Sequence, residues 1–368
     1  MFIKGMDVSS LQEVESCGGK FFDGGVQDDL FAILKRYGVN SIRLRVWNDP
    51  FAENGRPYGA GGNDLKTFLE LAGRASRQGM GVLLDLHYSD FWTDPGKQLL
   101  PKEWRNKTVP ELEKAVYEYT VDVMKQIRKL GIRLDMVQVG NEVTNGLLWP
   151  YGKVPEYENI ARFISAGIRG VRTIDVEVPV MIHLDCGCDL ETCRNWFDEY
   201  GKRGEEFQAI GLSYYPFWQG TLEALSENMA FLARRYDKDI IVAEVSMGHT
   251  MEEYASYEKL SREERKGMAT KPQLAARVPF PMTPKGQSDF MQALLERIAA
   301  VPEGRGKGFY YWEPAWIPVP GSGWATKESL AYMNDPGPCG NEWANQALFD
   351  YEGNALPALS VIRDFSAV

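Results

Sequence analysis

Short apolar runs alternate with longer amphipathic stretches along this 368-residue chain, and this alternation limits its possible folds more than any other feature. Runs rich in Val, Ile and Leu are typical of buried parallel strands, and stretches with a period near 3.6 are typical of helices. The pattern predicts eight strands, at 3–8, 41–47, 81–87, 134–140, 178–184, 207–213, 239–245 and 307–312. Helices are predicted near 26–37, 63–78, 110–130, 156–174, 190–203, 221–236, 285–300 and from about 357.

Eight strand–helix units in order predict an α/β protein, a single (β/α)8 TIM barrel. Such a barrel commonly occupies about 250 residues and tolerates insertions to 400 or more. No Pro/Ser-rich linker or break in composition divides the chain, so residues 1–368 are interpreted as one domain. Long loops are predicted after strand 7, at 246–284, and after strand 8, at 313–356. The first is highly charged at 253–266 and is predicted to contain a short helix. Loops of this length would form the walls of a cleft.

The charge of the chain argues against a polyanionic partner. A net charge of -10 without clustered Lys and Arg excludes nucleic acid as the expected ligand. No apolar run approaches the ~20 residues of a membrane span, so no membrane partner is expected either. Many of the ten tryptophans stand beside Gly, Pro or Asn, where loops are expected. Such rings stack on sugars in binding clefts, although filling the core is the alternative for each one.

The five cysteines do not suggest a disulfide framework. Cys186, Cys188 and Cys193 are clustered, but their spacing lacks the paired pattern and the nearby His of a zinc module. We therefore expect no metal and no cofactor. Free thiols and the lack of a leader pattern at the N-terminus favour a cytoplasmic location, and secretion after removal of a leader is the alternative.

Polar residues stand at the ends of the predicted strands, where a (β/α)8 enzyme builds its active site. Those residues include Asp7, Ser9, Arg43, Arg45, Asp49, Asp85, His87, Gln138, Asn141, Glu142, His183, Asp185, Ser213, Tyr214, Tyr215, Glu244 and Glu313. Glu142 ends strand 4 and Glu244 ends strand 7, on opposite walls of the barrel mouth. Glycoside hydrolysis needs such a pair, because one carboxyl group protonates the leaving oxygen while the other attacks the sugar.

The Asn141–Glu142 pair has a second interpretation. An Asn followed by an acid after an apolar run is also typical of a helix cap with an acidic first turn. A second glutamate at the end of strand 7 of an eight-strand count favours catalysis. The spacing between the two carboxyl groups would separate a retaining mechanism, at about 5 to 5.5 Å, from an inverting one, at about 6.5 to 9.5 Å.

Longer motifs around these residues resemble a known family. The Asn–Glu pair ending strand 4 resembles clan A of the glycoside hydrolases. The stretches GMDVS, RLRVWNDP, DLHYSDFWTDPGKQ, QVGNE, GLSYYPFW and YWEPAW, spread over nearly the whole chain, resemble family 53, the endo-β-1,4-galactanases. The resemblance implies retaining endo-hydrolysis of β-1,4-galactosidic linkages in galactan and type I arabinogalactan, and it implies a partner that is galactan or a galacto-oligosaccharide.

The resemblance also implies roles for individual residues. Glu142 becomes the acid/base and Glu244 the nucleophile, and Asn141 binds the sugar 2-hydroxyl. Arg45 is expected to keep Glu244 ionised, unless it is a structural ion pair that closes the barrel. The other supporting residues are His87 and a tyrosine of strand 6, either Tyr215 or Tyr214, together with Asp49 from the RLRVWNDP motif.

Tryptophans on the predicted loops are candidates for stacking on galactosyl rings. Trp92, Trp218 and Trp312 follow strands 3, 6 and 8, and Trp312 is the strongest candidate. Some bacterial members of the family carry an Asp- and Asn-rich calcium loop after strand 7. The stretch at 247–253 lacks that dense pattern of oxygen ligands, so we expect no calcium site there. We also expect a monomer.

Three other functions compete with this interpretation. Another clan A β-glycanase, such as a mannanase or a cellulase, shares both glutamates. A non-catalytic carbohydrate-binding barrel would keep the aromatic residues but has no need of both glutamates with Asn141 and Arg45. A phosphate-handling isomerase would need a Gly-rich cradle after strands 7 and 8, and the stretch at 308–312 is not one.

Overall fold

The computed structural model of the chain describes residues 2–252 and 271–367. Eight parallel strands close into a barrel in which neighbours follow sequence order. They are β1 (Ile3–Asp7), β2 (Ser41–Val46), β3 (Gly81–Leu86), β4 (Met136–Val139), β5 (Val180–Leu184), β6 (Ala209–Tyr214), β7 (Asp239–Val245) and β8 (Gly306–Trp312). The predicted (β/α)8 barrel is therefore confirmed, and each observed strand overlaps a predicted one.

Helices follow the strands and cover the outside of the barrel. They are α1 (Leu11–Ser16), α2 (Leu30–Arg36), α3 (Leu65–Arg77), α4 (Val109–Lys129), α5 (Tyr157–Ile174), α6 (Leu190–Gly201), α7 (Leu222–Tyr236), α8 (Pro272–Ala275), α9 (Pro284–Ala299), α10 (Lys327–Met333) and α11 (Ala358–Asp364). Within the described part of the chain, no helix is both long and apolar enough to cross a membrane.

The helix predicted at 26–37 was wrong in its first part. Residues Phe21–Asp23 and Val26–Asp28 form an antiparallel hairpin, and the helix begins only at Leu30. Gly24 and Gly25 turn the hairpin with φ of 57° and 81°, a left-handed backbone that glycine adopts without strain. Asp29 then starts the helix, since its side chain accepts hydrogen bonds from the backbone N–H groups of Phe31 and Ala32.

Two apolar layers hold the barrel together. The larger one lies between the strands and the surrounding helices. The smaller one fills the barrel interior and consists of Leu83, Met136, Met181, Ala209, Ile241, Ala243 and Tyr310. Because side chains alternate along a strand, the inward positions nearer the carboxyl ends of the strands lie above this floor. Those positions carry the polar side chains of the site.

The two long loops contain local structure of their own. In the loop after β7, α8 precedes a stretch in which Phe280 packs on Phe290 of α9 at a ring-centroid distance of 5.7 Å, and Val278 is buried. The short helix predicted in the loop at 246–284 corresponds to α8, whereas the charged part at 253–266 lies outside the described residues. The loop after β8 contains α10 and a short 3-10 turn at Ala344–Gln346.

The cap of α2 gives a testable stability change. Asp29→Ala should lower the free energy of unfolding by about 1 kcal/mol, because two backbone N–H groups lose their acceptor. Asp29 also pairs with Arg74 at 2.6 Å, so Asp29→Asn serves as the control that keeps an acceptor but removes the charge. Urea unfolding of both variants measures the difference. Equal losses would assign the effect to the ion pair instead of the cap.

Candidate active site

The two glutamates face each other across the barrel mouth. One carboxylate oxygen of Glu142, one of Glu244 and a ring nitrogen of His183 all lie within 4.8 Å of one another. Both glutamates are buried. So short a gap between oxygens matches the separation of about 5 to 5.5 Å in retaining glycosidases and leaves little room for the water that an inverting enzyme places between its carboxyl groups.

An unusual backbone aims Glu142 into the mouth. Gly140 has a φ of 78° and Glu142 a φ of 47°, both in the left-handed region, directly after β4 ends. A Cβ added to Gly140 would lie 2.8 Å from Val143 Cγ1, so glycine is needed there for space as well as for conformation. A non-glycine residue in this region is strained, and such strain is often found at active sites. Here it turns the Glu142 side chain across the opening.

A β-bulge aims Glu244. Ile241 and Ala243 belong to the interior floor, so strict alternation would point Glu244 outward. Between β6 and β7, however, Leu212 pairs with Val242 while the next residue, Ser213, pairs with Glu244. One extra residue in β7 thus reverses the alternation, as a bulge does, and Glu244 faces the interior.

Arg43 of β2 connects the site. Its guanidinium contacts five side chains, which are Asp7, Asp85, Gln138, Asn141 and Glu244. The contact with Glu244 joins Nη1 to Oε1 at 2.9 Å. The contacts with Asp7, Gln138 and Asn141 are hydrogen bonds, and those with Asp85 and Glu244 are ion pairs at 2.9 Å, so the buried charge has compensating partners.

The structure corrects the role predicted for Arg45. Arg45 does not contact Glu244; its Nη2 pairs with Glu313 Oε1 at 2.7 Å, and its guanidinium lies 4.3 Å from the centre of the Trp92 ring. Both arginines of β2 point inward, but Arg43 pairs in register with Asp7 and lies one inward position deeper. The alternative reading of Arg45, as a structural ion pair, fits the structure.

The surroundings of the two glutamates set different proton affinities. Burial raises the pKa of Glu142 well above its ordinary value, and the nearby charges of Glu244 and Asp185 raise it further. Burial also raises the pKa of Glu244, whereas Arg43 and the Tyr215 hydroxyl lower it. The net result is a pKa of about 7. As pH increases, Glu244 therefore loses its proton first and Glu142 keeps one.

Of the two candidate tyrosines at the end of β6, Tyr215 is the one that contacts Glu244. Its hydroxyl donates to Glu244 Oε2 at 2.8 Å. Tyr214 lies on the outer face of the barrel, where its ring stacks on Phe290 at 6.1 Å and its hydroxyl donates to the Gly220 carbonyl. Alternation explains this, because Ser213 points inward and its neighbour must point outward. The inclusion of Tyr214 in the site was wrong.

Asn141 and His87 both line the mouth, whereas Asp49 does not. The Oδ1 atom of Asn141 accepts from Arg43 at 2.9 Å, and its Nδ2 donates one hydrogen to the Thr93 carbonyl, which leaves a second hydrogen for a ligand. His87 Nε2 lies 2.9 Å from Asp85 Oδ2, so it supports an Arg43 partner and not the glutamates directly. Asp49 is largely exposed and pairs with Lys102.

Aromatic rings form the walls of a cleft of about 580 Å³ above the glutamates. The three candidate stacking residues, Trp92, Trp218 and Trp312, line this cleft. Trp343 from the loop after β8 lines it as well. The rings form a continuous row, with Trp343 at 4.7 Å from Trp312 and at 5.5 Å from Trp218 between ring centroids. Trp218 is about half exposed, as a platform for a ligand must be.

Comparisons with known proteins agree with this geometry. The model of glycosyl hydrolase family 53 matches residues 3–362. The chain belongs to glycosyl hydrolase family 53. It is 35% identical to an endo-β-1,4-galactanase of Bacillus subtilis (strain 168) over 98% of this chain and 85% of that protein.

Two solved structures of the family also superpose on nearly the whole chain. The family 53 catalytic domain of Ignisphaera aggregans matches with a TM-score of 0.89 and 38% identity, over 98% of this chain and 95% of that one. A fungal β-1,4-galactanase structure matches with a TM-score of 0.80 and 30% identity, over 99% of each chain.

Several residues of this family 53 site had no role in the sequence analysis. Arg43, His183 and Ser213 were placed at strand ends without a function, and Trp343 was not singled out. Arg43 shares the inward face of β2 with Arg45, so counting two residues back from Arg45 would have placed it there. No local signal identifies Trp343, because it lies in a long loop whose path depends on tertiary packing.

Tyr215 should control the acid limb of the pH–activity profile. Tyr215→Phe removes a donor to the ionised form of Glu244, so the pKa of Glu244 should rise. Activity depends on ionised Glu244 and is lost as pH falls through that pKa, so the acid limb of kcat/KM should move to higher pH by about one to two units. Tyr214→Phe is the matched control and should leave the limb in place. An equal shift in both variants would contradict the assignment.

Proposed function

We propose that this chain is a retaining endo-β-1,4-galactanase that hydrolyses galactan-type polysaccharides. The observation that carries the proposal is the buried pair Glu142 and Glu244, within 4.8 Å of each other and in unlike surroundings, in a chain that matches family 53 from end to end. The similarity to the galactanase of Bacillus subtilis supports the choice of sugar.

In the first step Glu244 attacks the anomeric carbon while Glu142 protonates the leaving oxygen. Arg43 and Tyr215 hold the Glu244 carboxylate from both of its oxygens, which favours its ionised form and directs it toward the cleft. The raised pKa of Glu142 keeps a proton available near neutral pH. Charge develops on the sugar in the transition state, and the free hydrogen of Asn141 Nδ2 is available to the 2-hydroxyl there.

In the second step water replaces the leaving group. Glu142, now ionised, takes a proton from this water, and the water oxygen attacks the anomeric carbon and releases Glu244. Two inversions at the same carbon give overall retention. The pKa of Glu142 must fall and rise within the cycle, and neutralising Glu244 in the covalent intermediate removes one of the charges that raise it.

The products from different polysaccharides test the substrate. Linear β-1,4-galactan should yield galacto-oligosaccharides of several lengths, whereas β-mannan and cellulose should remain intact. Proton NMR of the first product should show the β-anomer before mutarotation. Release of oligosaccharides from mannan with galactan untouched would favour the alternative of another clan A β-glycanase.

Isosteric amides test the two glutamates. Glu142→Gln and Glu244→Gln should each lower kcat on galactan by several orders of magnitude, because one removes the transferable proton and the other the attacking carboxylate. Circular dichroism and thermal unfolding provide the check that both variants fold. Normal turnover in either variant would remove that residue from its role and would favour a binding barrel.

Lysine variants of the two arginines of β2 test which arginine supports Glu244 and which one only supports the barrel wall. Arg43→Lys should lower kcat about 10²- to 10³-fold, because an ammonium group cannot replace five donors around Glu244 and Asn141. Arg45→Lys keeps a cation near Glu313 but loses the planar contact with Trp92, so its effect on kcat should be much smaller. The reverse order in steady-state kinetics would restore the original assignment to Arg45.

Three further properties belong to the proposal. A monomer with one catalytic domain over residues 1–368 is consistent with the closed barrel, whose described strands leave no free sheet edge. The odd number of cysteines, together with Cys186, Cys188, Cys193 and Cys339 outside any disulfide, supports a cytoplasmic location. In that location the substrates would be galacto-oligosaccharides more than polymer.

A further inference from the structure

A buried chain of hydrogen bonds leads from Glu142 away from the cleft. Ser213 Oγ lies 2.6 Å from Glu142 Oε1, and His183 Nε2 lies 2.9 Å from Ser213 Oγ. On the other side of the ring, His183 Nδ1 lies 3.0 Å from Asn141 Oδ1. Ser213 and His183 are completely buried. The direction of the hydrogens in this chain determines whether Glu142 donates to Ser213 or accepts from it.

Arg43 settles the orientation of two amides next to His183. A guanidinium only donates, so the atoms it contacts, Gln138 at 3.1 Å and Asn141 at 2.9 Å, must be the amide oxygens. The Nε2 atom of Gln138 then has two hydrogens. Its shortest contacts are the Gly140 carbonyl and Asn141 Oδ1, both at 3.0 Å, whereas His183 Nδ1 lies farther away, at 3.2 Å, so the two oxygens are its acceptors. Both hydrogens are thus used without His183.

His183 therefore needs a hydrogen on Nδ1. If Nδ1 carried a lone pair, that lone pair would face the Asn141 carbonyl oxygen at 3.0 Å, and two acceptors would repel each other in a dry interior. Burial and the charge of Arg43 lower the pKa of His183 well below its ordinary value, so the ring is neutral and carries one hydrogen only. Its Nε2 atom must then accept from the Ser213 hydroxyl.

The serine has only one hydrogen to give. Once Ser213 donates to His183, its oxygen can bond to Glu142 Oε1 only as an acceptor, and so Glu142 must supply the hydrogen. We propose that Ser213 and His183 are positioning residues that hold the acid proton on Glu142 Oε1 in the free enzyme. This inference rests on the proposed function, in which Glu142 is the acid/base.

The chain responds to both half-reactions without any change in its own charge. For catalysis the Glu142 carboxyl group turns so that its O–H leaves Ser213 and points to the leaving oxygen in the cleft. After the proton is transferred, the Ser213 hydroxyl donates to the new carboxylate and His183 Nε2 loses its donor. When Glu142 takes a proton from water, the resting arrangement returns. Ionised Glu142 is thereby penalised, which favours its recovery of a proton in the second step.

Other charged groups face this chain from several elements and contribute to the same pKa values. Arg43 on β2, with Asp85 and His87 on β3, acts on His183. Glu244 on β7, with Asp185 and Asp94 from the loops after β5 and β3, acts on Glu142. All of these groups remain in place when Ser213 is changed, so a serine variant isolates the effect of the chain.

The sign of one pH shift tests the proposal. In Ser213→Ala, the state with protonated Glu142 loses two bonds, from Glu142 to Ser213 and from Ser213 to His183, whereas the state with ionised Glu142 loses only the bond from Ser213 to Glu142. The basic limb of kcat/KM on galactan should therefore move to lower pH, by about one unit. If Ser213 were an ordinary donor to a carboxylate, its loss would move the limb to higher pH. A limb that stays in place or rises would overturn the proposal. Ser41→Ala, which removes a buried hydroxyl bonded to Tyr310, is the matched control and should leave the limb unchanged.

Nitrogen-15 NMR of the unaltered enzyme tests the same chain without substrate. The chain has three histidines, so labelled rings can be assigned with His183→Asn as the reference. His87 supplies an internal standard, because Trp47 Nε1 donates to its Nδ1 at 3.2 Å and its hydrogen must be on Nε2. His183 should show the opposite tautomer, with its hydrogen on Nδ1. A hydrogen on Nε2 in an enzyme that hydrolyses galactan would overturn the inference alone, whereas the expected tautomer in a protein inactive on galactan would contradict only the proposed function.

Discussion

Arg43 makes hydrogen bonds or ion pairs with side chains from β1, β3, β4 and β7, and the arrangement of the whole site depends on this one guanidinium. A buried cation is tolerated only when its donors find acceptors, so the five partners have little freedom to move. Because Arg43 also determines which way Gln138 and Asn141 point, it influences the tautomer of His183 as well as the charge of Glu244. Glu244 and Glu142 are therefore coupled through one residue.

Two departures from regular strand geometry bring the glutamates together. The left-handed backbone at Glu142 and the bulge that precedes Glu244 each turn a carboxyl group into the mouth. Their surroundings then differ: Glu244 has a cation and a phenol, and Glu142 has a serine and further acids. The same side chain thus performs two kinds of chemistry, because burial raises both pKa values while only one glutamate has compensating partners.

Much of the fold could be predicted because barrel strands and helices have strong local patterns. The apolar runs identified all eight strands, and their ends identified Glu142 and Glu244 as partners. Prediction failed where a role depended on how deep a side chain lies in the barrel or on which side of the barrel wall it faces. Arg43 and Arg45 have the same local pattern, and only the register with β1 shows which one lies beside Glu244. The adjacent Tyr214 and Tyr215 differ only in which side of the barrel wall they face. The first part of the helix predicted at 26–37 is instead the second strand of a hairpin, Val26–Asp28.

The sequence by itself determined the barrel, the order of its strands and the pair of glutamates, since periodicity and strand ends are properties of neighbouring residues. Its motifs also identified the family and predicted galactan as the substrate. Tertiary structure alone decided the gap between the carboxyl groups, the contact of Arg43 with Glu244 and the row of rings that Trp343 completes. It also decided the hydrogen-bond chain from Glu142 to His183. These features join residues from different strands and loops, and distances of a few ångströms between distant parts of a chain exist only after the barrel has closed.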